Sequence, residues 1–70
     1  MSVDKKTTVP KINYSLDARG RLLEAGVDVF GKHGFDAATT RMIAKKAGVN
    51  IAAIPYYFNG KEGLYHAVVS

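Results

Sequence analysis

Hydroxyl and cationic side chains cluster where a short helix is predicted to begin. Thr39 and Thr40 precede an apolar pattern, and Arg41 follows them directly. Thr40 can cap this helix, because its hydroxyl can accept from a backbone N–H one turn further on. The N–H groups of a helix start also carry partial positive charge, which suits a phosphate group. We expect the two threonines both to cap the helix and to contact phosphate, although capping alone is the alternative.

The spacing of small and apolar residues predicts a helix, a tight turn and a second helix. Ile43, Ala44 and Ala47 form the apolar stripe of the first helix, at about residues 40–47. Gly48 follows, at the place where helices commonly end in a left-handed residue. Ala44 and Gly48 are four residues apart, which lets two helices cross closely, as a DNA-binding helix-turn-helix requires.

The second helix of this motif, at about residues 50–58, is the part expected to meet base edges. Asn50 is predicted to cap it rather than to contact a base. Ile51 and Ala52 fall outside its apolar stripe, so both should be exposed. An exposed isoleucine is commonplace, but Ile51 could also touch a thymine methyl group, which would make base reading apolar and dependent on DNA shape.

Length and composition restrict the possible functions. Seventy residues with 47% hydrophobic content predict one small globular domain. Ten Lys and Arg against six Asp and Glu leave a net charge of +4, which favours a polyanionic partner, although a plain cationic surplus is the alternative. No cysteine is present, which suits a cytoplasmic protein. No apolar run is long enough for a membrane helix.

Two further helices must position this motif. A first helix at about residues 16–33 should pack through one stripe and end at Gly34, followed by Phe35 inserted in the core. The stripe consists of Leu22, Leu23, Gly26, Val27 and Phe30. Gly26 costs helix stability, so we expect a close helix crossing there. The turn Asn59-Gly60 precedes a fourth helix at about residues 61–70. The predicted fold is an all-α, homeodomain-like three-helix unit with the start of a fourth helix.

The expected domain organisation is an arm followed by one domain. Residues 1–14 carry three lysines, one acid and a proline, which predicts a flexible basic arm, either solvated or lying along DNA. The domain then covers residues 15–70. The fourth helix is still running at Ser70, so we expect the chain to be one module of a longer protein.

Three segments together resemble the N-terminal DNA-binding domain of the tetracycline-repressor (TetR) family. They are GFDAATT at residues 34–40, IAKKAGVN at 43–50 and YYFNGKEGL at 56–64. The resemblance covers about residues 17–66. It implies a transcriptional repressor that binds a palindromic double-stranded operator as a homodimer. It also implies a C-terminal domain, absent here, that dimerises and binds a small-molecule effector.

The resemblance also suggests roles for single residues. Arg41 matches an arginine that reads guanine, with a phosphate clamp or a solvated side chain as alternatives. Lys61 matches a phosphate-binding lysine, with a solvated side chain as the alternative. Pro55 departs from the pattern, because many relatives carry a phosphate-bonding tyrosine there. Tyr56 could supply the missing hydroxyl, while Tyr57 is expected to be half core and half contact.

Pro55 also raises a question about the second helix of the motif. A proline inside a helix removes a backbone hydrogen bond, here to the carbonyl of Ile51, at a cost of about 3 kcal/mol. The alternatives are a kinked helix or a tightened first turn that absorbs part of this cost.

The predicted site therefore combines capping, phosphate and base contacts. It consists of Thr39, Thr40, Arg41, Asn50, Ile51, Ala52, Tyr56, Tyr57 and Lys61. No nucleophile–base pair, glycine-rich phosphate loop or metal-ligand spacing occurs, so we expect no enzyme activity, metal or cofactor. The alternative function is a small helical protein-interaction module that uses Ile51, Ala52 and Tyr56.

Overall fold

The computed structural model describes residues 16–70, except for the side chain of Leu16. Four helices make up this part of the chain: α1 (Leu16–Ala37), α2 (Thr40–Ala47), α3 (Ala53–Phe58) and α4 (Lys61–Val69). No strand occurs within it. The predicted all-α helix-turn-helix fold is therefore confirmed. The predicted arm at residues 1–14 lies outside the described residues, and the division into arm and domain stays a prediction.

The first helix is interrupted at the glycine where the sequence predicted its end. Gly34 has φ 81° and ψ 166°, a left-handed conformation that glycine adopts without steric cost. The Ala38 N–H then donates to the Gly34 carbonyl over 3.1 Å. A short helical stretch to Ala37 follows, so α1 extends past its predicted end without being continuous.

The core-facing side of α1 differs from the predicted stripe. Its buried side chains recur about one turn apart along the helix, at Ala18, Leu22, Ala25, Val29 and Phe30. Val27 is 57% exposed, so its predicted place in the core is wrong. The prediction favoured the larger apolar residues, whereas the neighbouring helices pack against a face that includes two alanines.

The close crossing predicted at Gly26 is confirmed, and the crossing helix is α4. A Cβ atom at Gly26 would lie 3.1 Å from Val68 Cγ2 and 3.6 Å from Leu64 Cδ1. Leu64 is fully buried. Gly26 therefore allows α4 to pack against α1, which fixes where α4 begins relative to the motif.

An aromatic cluster joins the end of α1 to α4. Phe35 stacks on Phe30 with ring centroids 6.0 Å apart, and it meets Tyr65 edge-on at 5.0 Å. Phe30 and Tyr65 are also in edge contact at 5.1 Å. Phe35 is partly buried by these contacts, so its predicted insertion in the core is confirmed.

The α3–α4 connection depends on residues with positive φ and on one glycine that has no room for a side chain. Asn59 and Gly60 have φ values of 65° and 108°, which confirms the predicted turn. A Cβ atom at Gly63 would overlap the carbonyl oxygen of Phe58. Gly63 is therefore required by the close approach of α4 to the end of α3, a role that the sequence did not indicate.

Candidate nucleic-acid interface

The start of α2 is capped by Thr39, so the predicted cap at Thr40 is wrong by one residue. Thr39 has extended backbone angles, and its Oγ1 accepts from the Met42 N–H over 3.1 Å. Its carbonyl accepts from the Ile43 N–H, also over 3.1 Å. Thr40 is already helical and cannot take the cap position. The Thr39 hydroxyl keeps its own hydrogen for donation to another group.

The same helix start presents several donors in one place. The first amides of a helix have no intrahelical acceptor, and in α2 those of Met42 and Ile43 are bonded to Thr39. The amides of Thr40 and Arg41 are left for an outside acceptor. Arg41 is exposed and Thr40 is half-buried. The α2 start therefore combines backbone N–H groups, a hydroxyl and a guanidinium, a set suited to phosphate and base edges.

The turn of the motif depends on a left-handed glycine. Gly48 ends α2 with φ 71° and ψ 33°, and the Val49 N–H donates to the Ala44 carbonyl over 3.1 Å. A Cβ atom at Gly48 would meet nothing within 4 Å. The predicted role of Gly48 in a close helix crossing is therefore wrong, whereas its predicted left-handed conformation is confirmed. Ala44 is buried against the core.

The third helix begins at Ala53, three residues later than predicted. Asn50 is therefore not the N-cap of α3, as predicted, but its Oδ1 accepts from the Ala52 N–H over 2.8 Å in the preceding turn. Its carbonyl accepts from the Ala53 N–H over 3.0 Å. Asn50 thus holds a turn that leads into α3, and Ile51 and Ala52 lie in that turn instead of in the helix.

This late start explains why Pro55 is accommodated. Pro55 is the third residue of α3, where its missing N–H would lack an intrahelical partner in any case. Pro55 has no N–H to donate to the Ile51 carbonyl. That carbonyl instead accepts from the Ile54 N–H over 3.1 Å. The tightened first turn is confirmed as the alternative to a kink. Because proline has no hydroxyl, Pro55 cannot make the phosphate bond that the family resemblance suggests for a tyrosine at this position.

The exposed side of the turn and α3 is largely apolar. Ile51 is 41% exposed and Tyr56 is 61% exposed, whereas Ala52 and Tyr57 are half-buried. The predicted exposure of Ile51 is confirmed, and that of Ala52 is only partial. The rings of Tyr56 and Tyr57 meet edge-on with centroids 4.9 Å apart. Phe58 is buried, as predicted.

Lys61 begins α4 and is held by two contacts. Its Nζ lies 4.3 Å from the Phe35 ring centroid and donates to the Asp36 carbonyl over 3.5 Å. Asp36 precedes Thr39 by three residues, which is at most about 11 Å of chain. The Lys61 ammonium group therefore contacts the segment that leads into α2. The sequence did not indicate that Phe35 and Asp36 position this lysine.

A separate charged cluster ties α2 to α1. Lys46 places its Nζ 2.9 Å from Asp28 Oδ2, and Lys32 Nζ lies 3.9 Å from the same atom. The hydrogen bond from Lys46 is the main cause that lowers the pKa of Asp28, and the charges of Lys32, Lys46 and His33 act in the same direction. Lys46 therefore has a structural partner, while Lys45 is exposed.

Other kinds of site find no support in the described part of the chain. Residues 16–70 contain no group of three or more His, Asp or Glu side chains placed to hold a metal ion. Among the same residues, no helix has the length and apolar character needed to cross a membrane. The chemistry available is that of helix starts, hydroxyls, cations and an apolar helix surface.

Comparison with known proteins identifies the family. The family model for bacterial regulatory proteins of the tetR family matches residues 22–68. This match includes α2, the turn, α3 and most of α4. The chain belongs to the TetR family. The match places the helix-turn-helix of this chain among bacterial regulatory proteins, and the protein-interaction module is not favoured.

Individual relatives agree with this assignment. The chain is 54% identical over 50 residues to the HTH-type transcriptional dual regulator CecR of Shigella flexneri, covering 71% of this chain and 22% of CecR. It is 42% identical over 55 residues to the probable HTH-type transcriptional regulator YttP of Bacillus subtilis, covering 79% of this chain and 27% of YttP.

A solved structure supports the fold directly. The crystal structure of HlyIIR, a hemolysin II transcriptional regulator, matches with a TM-score of 0.70 and 43% sequence identity. The match covers 73% of this chain and 28% of HlyIIR. The chain thus spans only about a quarter of the length of CecR, YttP and HlyIIR.

Proposed function

We propose that this TetR-type domain binds a specific double-stranded operator by placing α3 in the major groove. The observation that carries the proposal is that donor groups lie at the start of α2 and against the segment that leads into it. Thr39 and Arg41 lie at the start of α2, and Lys61 is held beside the residues that lead into it. With α3 between them along the chain, these groups can contact the phosphates that flank the bases under α3.

Phosphate contacts are assigned to residues that carry donor groups at or near the two helix starts. Thr39 and Thr40 offer a hydroxyl and a backbone amide at the start of α2, and Lys61 offers its ammonium group. Tyr56, whose side chain is largely exposed, supplies the hydroxyl that Pro55 lacks. Tyr57 is half-buried and packs edge-on against Tyr56, so it supports that contact and lies at its margin.

Base reading by a polar side chain is assigned to Arg41. It projects from the first turn of α2, is exposed, and has no acid partner among the described residues. Two N–H groups of an arginine fit the O6 and N7 atoms of guanine, a pair worth about 1–3 kcal/mol of discrimination. Asn50 is engaged in the turn before α3, so it contributes to the position of α3 and not mainly to base contact.

The remaining expectations concern the longer protein. Because the chain spans about a quarter of its relatives, we assign homodimerisation and binding of a small-molecule effector to further domains. A symmetric dimer would read two half-sites about one helical turn apart. We propose that the longer protein is a repressor that acts in the bacterial cytoplasm and has no enzyme activity. Its relatives CecR and YttP are described as transcriptional regulators, which agrees with this role.

A salt titration of DNA binding tests this proposal. Binding of the 70-residue chain to a labelled random-sequence duplex is measured by fluorescence anisotropy at increasing salt. We expect affinity to fall steeply with salt, and Lys61→Ala to reduce the slope by about one. Lys45→Ala is the matched control, because Lys45 is an exposed lysine outside the two helix starts. Equal slopes for the two variants would contradict the role of Lys61.

A selection experiment tests the base-reading residue separately. Bound duplexes are sequenced for the unmodified chain and for Arg41→Ala. We expect Arg41→Ala to lose the preference at one guanine position and to retain binding to random DNA. An equal loss on selected and random duplexes would show that Arg41 contacts phosphate alone. Absence of salt-dependent binding by the unmodified chain would overturn the proposed function.

A further inference from the structure

The base-facing helix carries almost no hydrogen-bonding side chains. The sequence of α3 is AIPYYF, in which only the two tyrosine hydroxyls are polar. Ala53, Ile54 and Phe58 are buried, so the outward surface of α3 consists mainly of Pro55 and Tyr56. No charged or amide side chain is therefore available on α3 to bond the polar edges of bases.

Ile51, in the turn two residues before α3, extends the same apolar surface. Ile51 is 41% exposed, which is high for a large aliphatic side chain next to a core. Its backbone is fixed, because its carbonyl accepts from the Ile54 N–H and the turn is held by the Asn50 side chain. Ile51 is thus an exposed aliphatic group on a rigid support, at the end of α3 that enters a major groove first.

Base chemistry determines what such a surface can recognise. Guanine, cytosine and adenine present only donors and acceptors in the major groove, whereas thymine also presents its C5-methyl group. Covering a polar base edge with an aliphatic group costs free energy, because its bonds to water are lost and not replaced. Covering a methyl group is favourable. An apolar α3 surface therefore discriminates in favour of thymine.

We propose that the turn and α3 read their half-site through thymine C5-methyl groups, with Ile51 as the specificity-determining residue. This inference rests on the proposed DNA-binding function. Arg41 then supplies the hydrogen-bonded reading at the edge of the half-site, while the centre is read by apolar contact. The two kinds of reading come from different parts of the motif, the first turn of α2 and the turn before α3, and can be tested independently.

Replacement of thymine by uracil tests the proposal directly, because it removes the methyl group and keeps the base pair. Duplexes are first selected from a random pool, and each thymine of the enriched sequence is then replaced singly. We expect a loss of affinity of about threefold to fivefold at one or two positions in each half-site, the size expected for one buried methyl group. At those positions a C·G pair should bind weakly, and 5-methylcytosine opposite guanine should recover part of the affinity.

Variants of the chain assign this effect to Ile51. Ile51→Ala should bind the thymine duplex several-fold more weakly and should no longer distinguish it from the uracil duplex. Val27→Ala is the matched control, because it also shortens an exposed aliphatic side chain, on α1. It should leave both affinities unchanged.

The possible outcomes separate this inference from the function on which it rests. Salt-dependent binding without any enriched thymine, or equal affinity for thymine and uracil duplexes, would overturn methyl reading and leave DNA binding intact. The uracil test uses the unmodified chain, so it decides the matter even when Ile51→Ala fails to fold. No binding to any duplex would overturn the proposed function itself.

Discussion

The two helices of the motif are stabilised by different means. α2 has local signals at both ends: the Thr39 hydroxyl caps its start and the left-handed Gly48 ends it. α3 is six residues long and has no side-chain cap hydrogen bond at Ala52. Three of its residues, Ala53, Ile54 and Phe58, are buried against the other helices. α3 therefore depends mainly on packing, whereas α2 also depends on its own sequence.

This difference has a consequence for DNA recognition. An isolated helix of six residues is unstable in water, so α3 must be held from behind by the core. Its exposed side chains contribute little to that packing, so they are the ones left for the contact with DNA that we propose. At the start of α2, by contrast, the hydroxyl that caps the helix, that of Thr39, is the one that we propose to contact phosphate.

The largest expected effect comes from removal of the support behind α3. Gly63→Ala places a methyl group against the Phe58 carbonyl oxygen at the end of α3. We expect a loss of about 3 kcal/mol in the free energy of unfolding, because backbone cannot move aside as a flexible side chain can. Thermal unfolding followed by circular dichroism measures this loss.

A second glycine provides the matched control for this experiment. A Cβ atom at Gly31 of α1 would meet nothing within 4 Å. Gly31→Ala should therefore be stabilising by about 0.5–1 kcal/mol, the ordinary gain of alanine over glycine in a helix. If both variants were stabilised, the close approach of α4 to α3 would be refuted.

The loss of stability on removing the Thr39 cap of α2 should be smaller but measurable. Thr39→Ala removes the hydroxyl that accepts from the Met42 N–H, and we expect it to cost about 1 kcal/mol of stability. Thr39→Ser keeps a hydroxyl and should therefore retain most of the stability of the unmodified chain. Chemical unfolding curves of the three proteins give the comparison. Equal loss in both variants would mean that the hydroxyl does not cap α2.

The contact that joins the start of α4 to the residues before α2 should have a still smaller effect. Phe35→Leu removes the ring under the Lys61 ammonium group, a contact worth about 0.5–1 kcal/mol at an exposed site. We expect DNA affinity to fall by about twofold to fivefold. In a Lys61→Met background the same change should have no further effect on binding. An unchanged effect in that background would show that Phe35 acts only through the core.

The smallest effect is expected at the ion pair between α1 and the end of α2. Because the folded-state pKa of Asp28 is lowered, the pair stabilises the fold above the unfolded pKa of about 4, and this contribution is lost as pH falls through the folded pKa. Asp28→Asn should therefore be slightly less stable than the unmodified chain at pH 7, with the difference vanishing in strong acid. A difference that persists unchanged at pH 2 would exclude this ionic contribution.

The parts of the fold that were predictable from sequence are those fixed by local backbone requirements. The bounds of α2, the interruption at Gly34 and the turn at Asn59-Gly60 follow from caps and left-handed residues. Such signals lie within a few residues of the feature they determine. This explains why α2 was predicted to the residue, although its cap was misplaced by one.

The parts that were not predictable depend on how helices meet. Val27 has the right spacing for a stripe, but which face of α1 is covered depends on where α4 crosses. The need for Gly63 arises only when the end of α3 lies against α4. Likewise, the ion pair of Lys46 with Asp28 and the contact of Lys61 with the Phe35 ring each join two different helices. At the candidate site, the types of the contacting residues were predictable from sequence. Which of these side chains are capped, paired or exposed is determined by the fold.

The most direct test of the account is to locate the DNA on the chain. ¹⁵N-labelled protein is titrated with a selected duplex, and backbone amide shifts are followed by NMR. The largest changes should occur at residues 39–41, at 50–54 and 56, and at Lys61. The amides beside the Asp28–Lys46 pair, and those near Val27 on α1, should change little. Changes concentrated on that α1 surface, with residues 50–56 unaffected, would contradict the placement of α3 in the major groove.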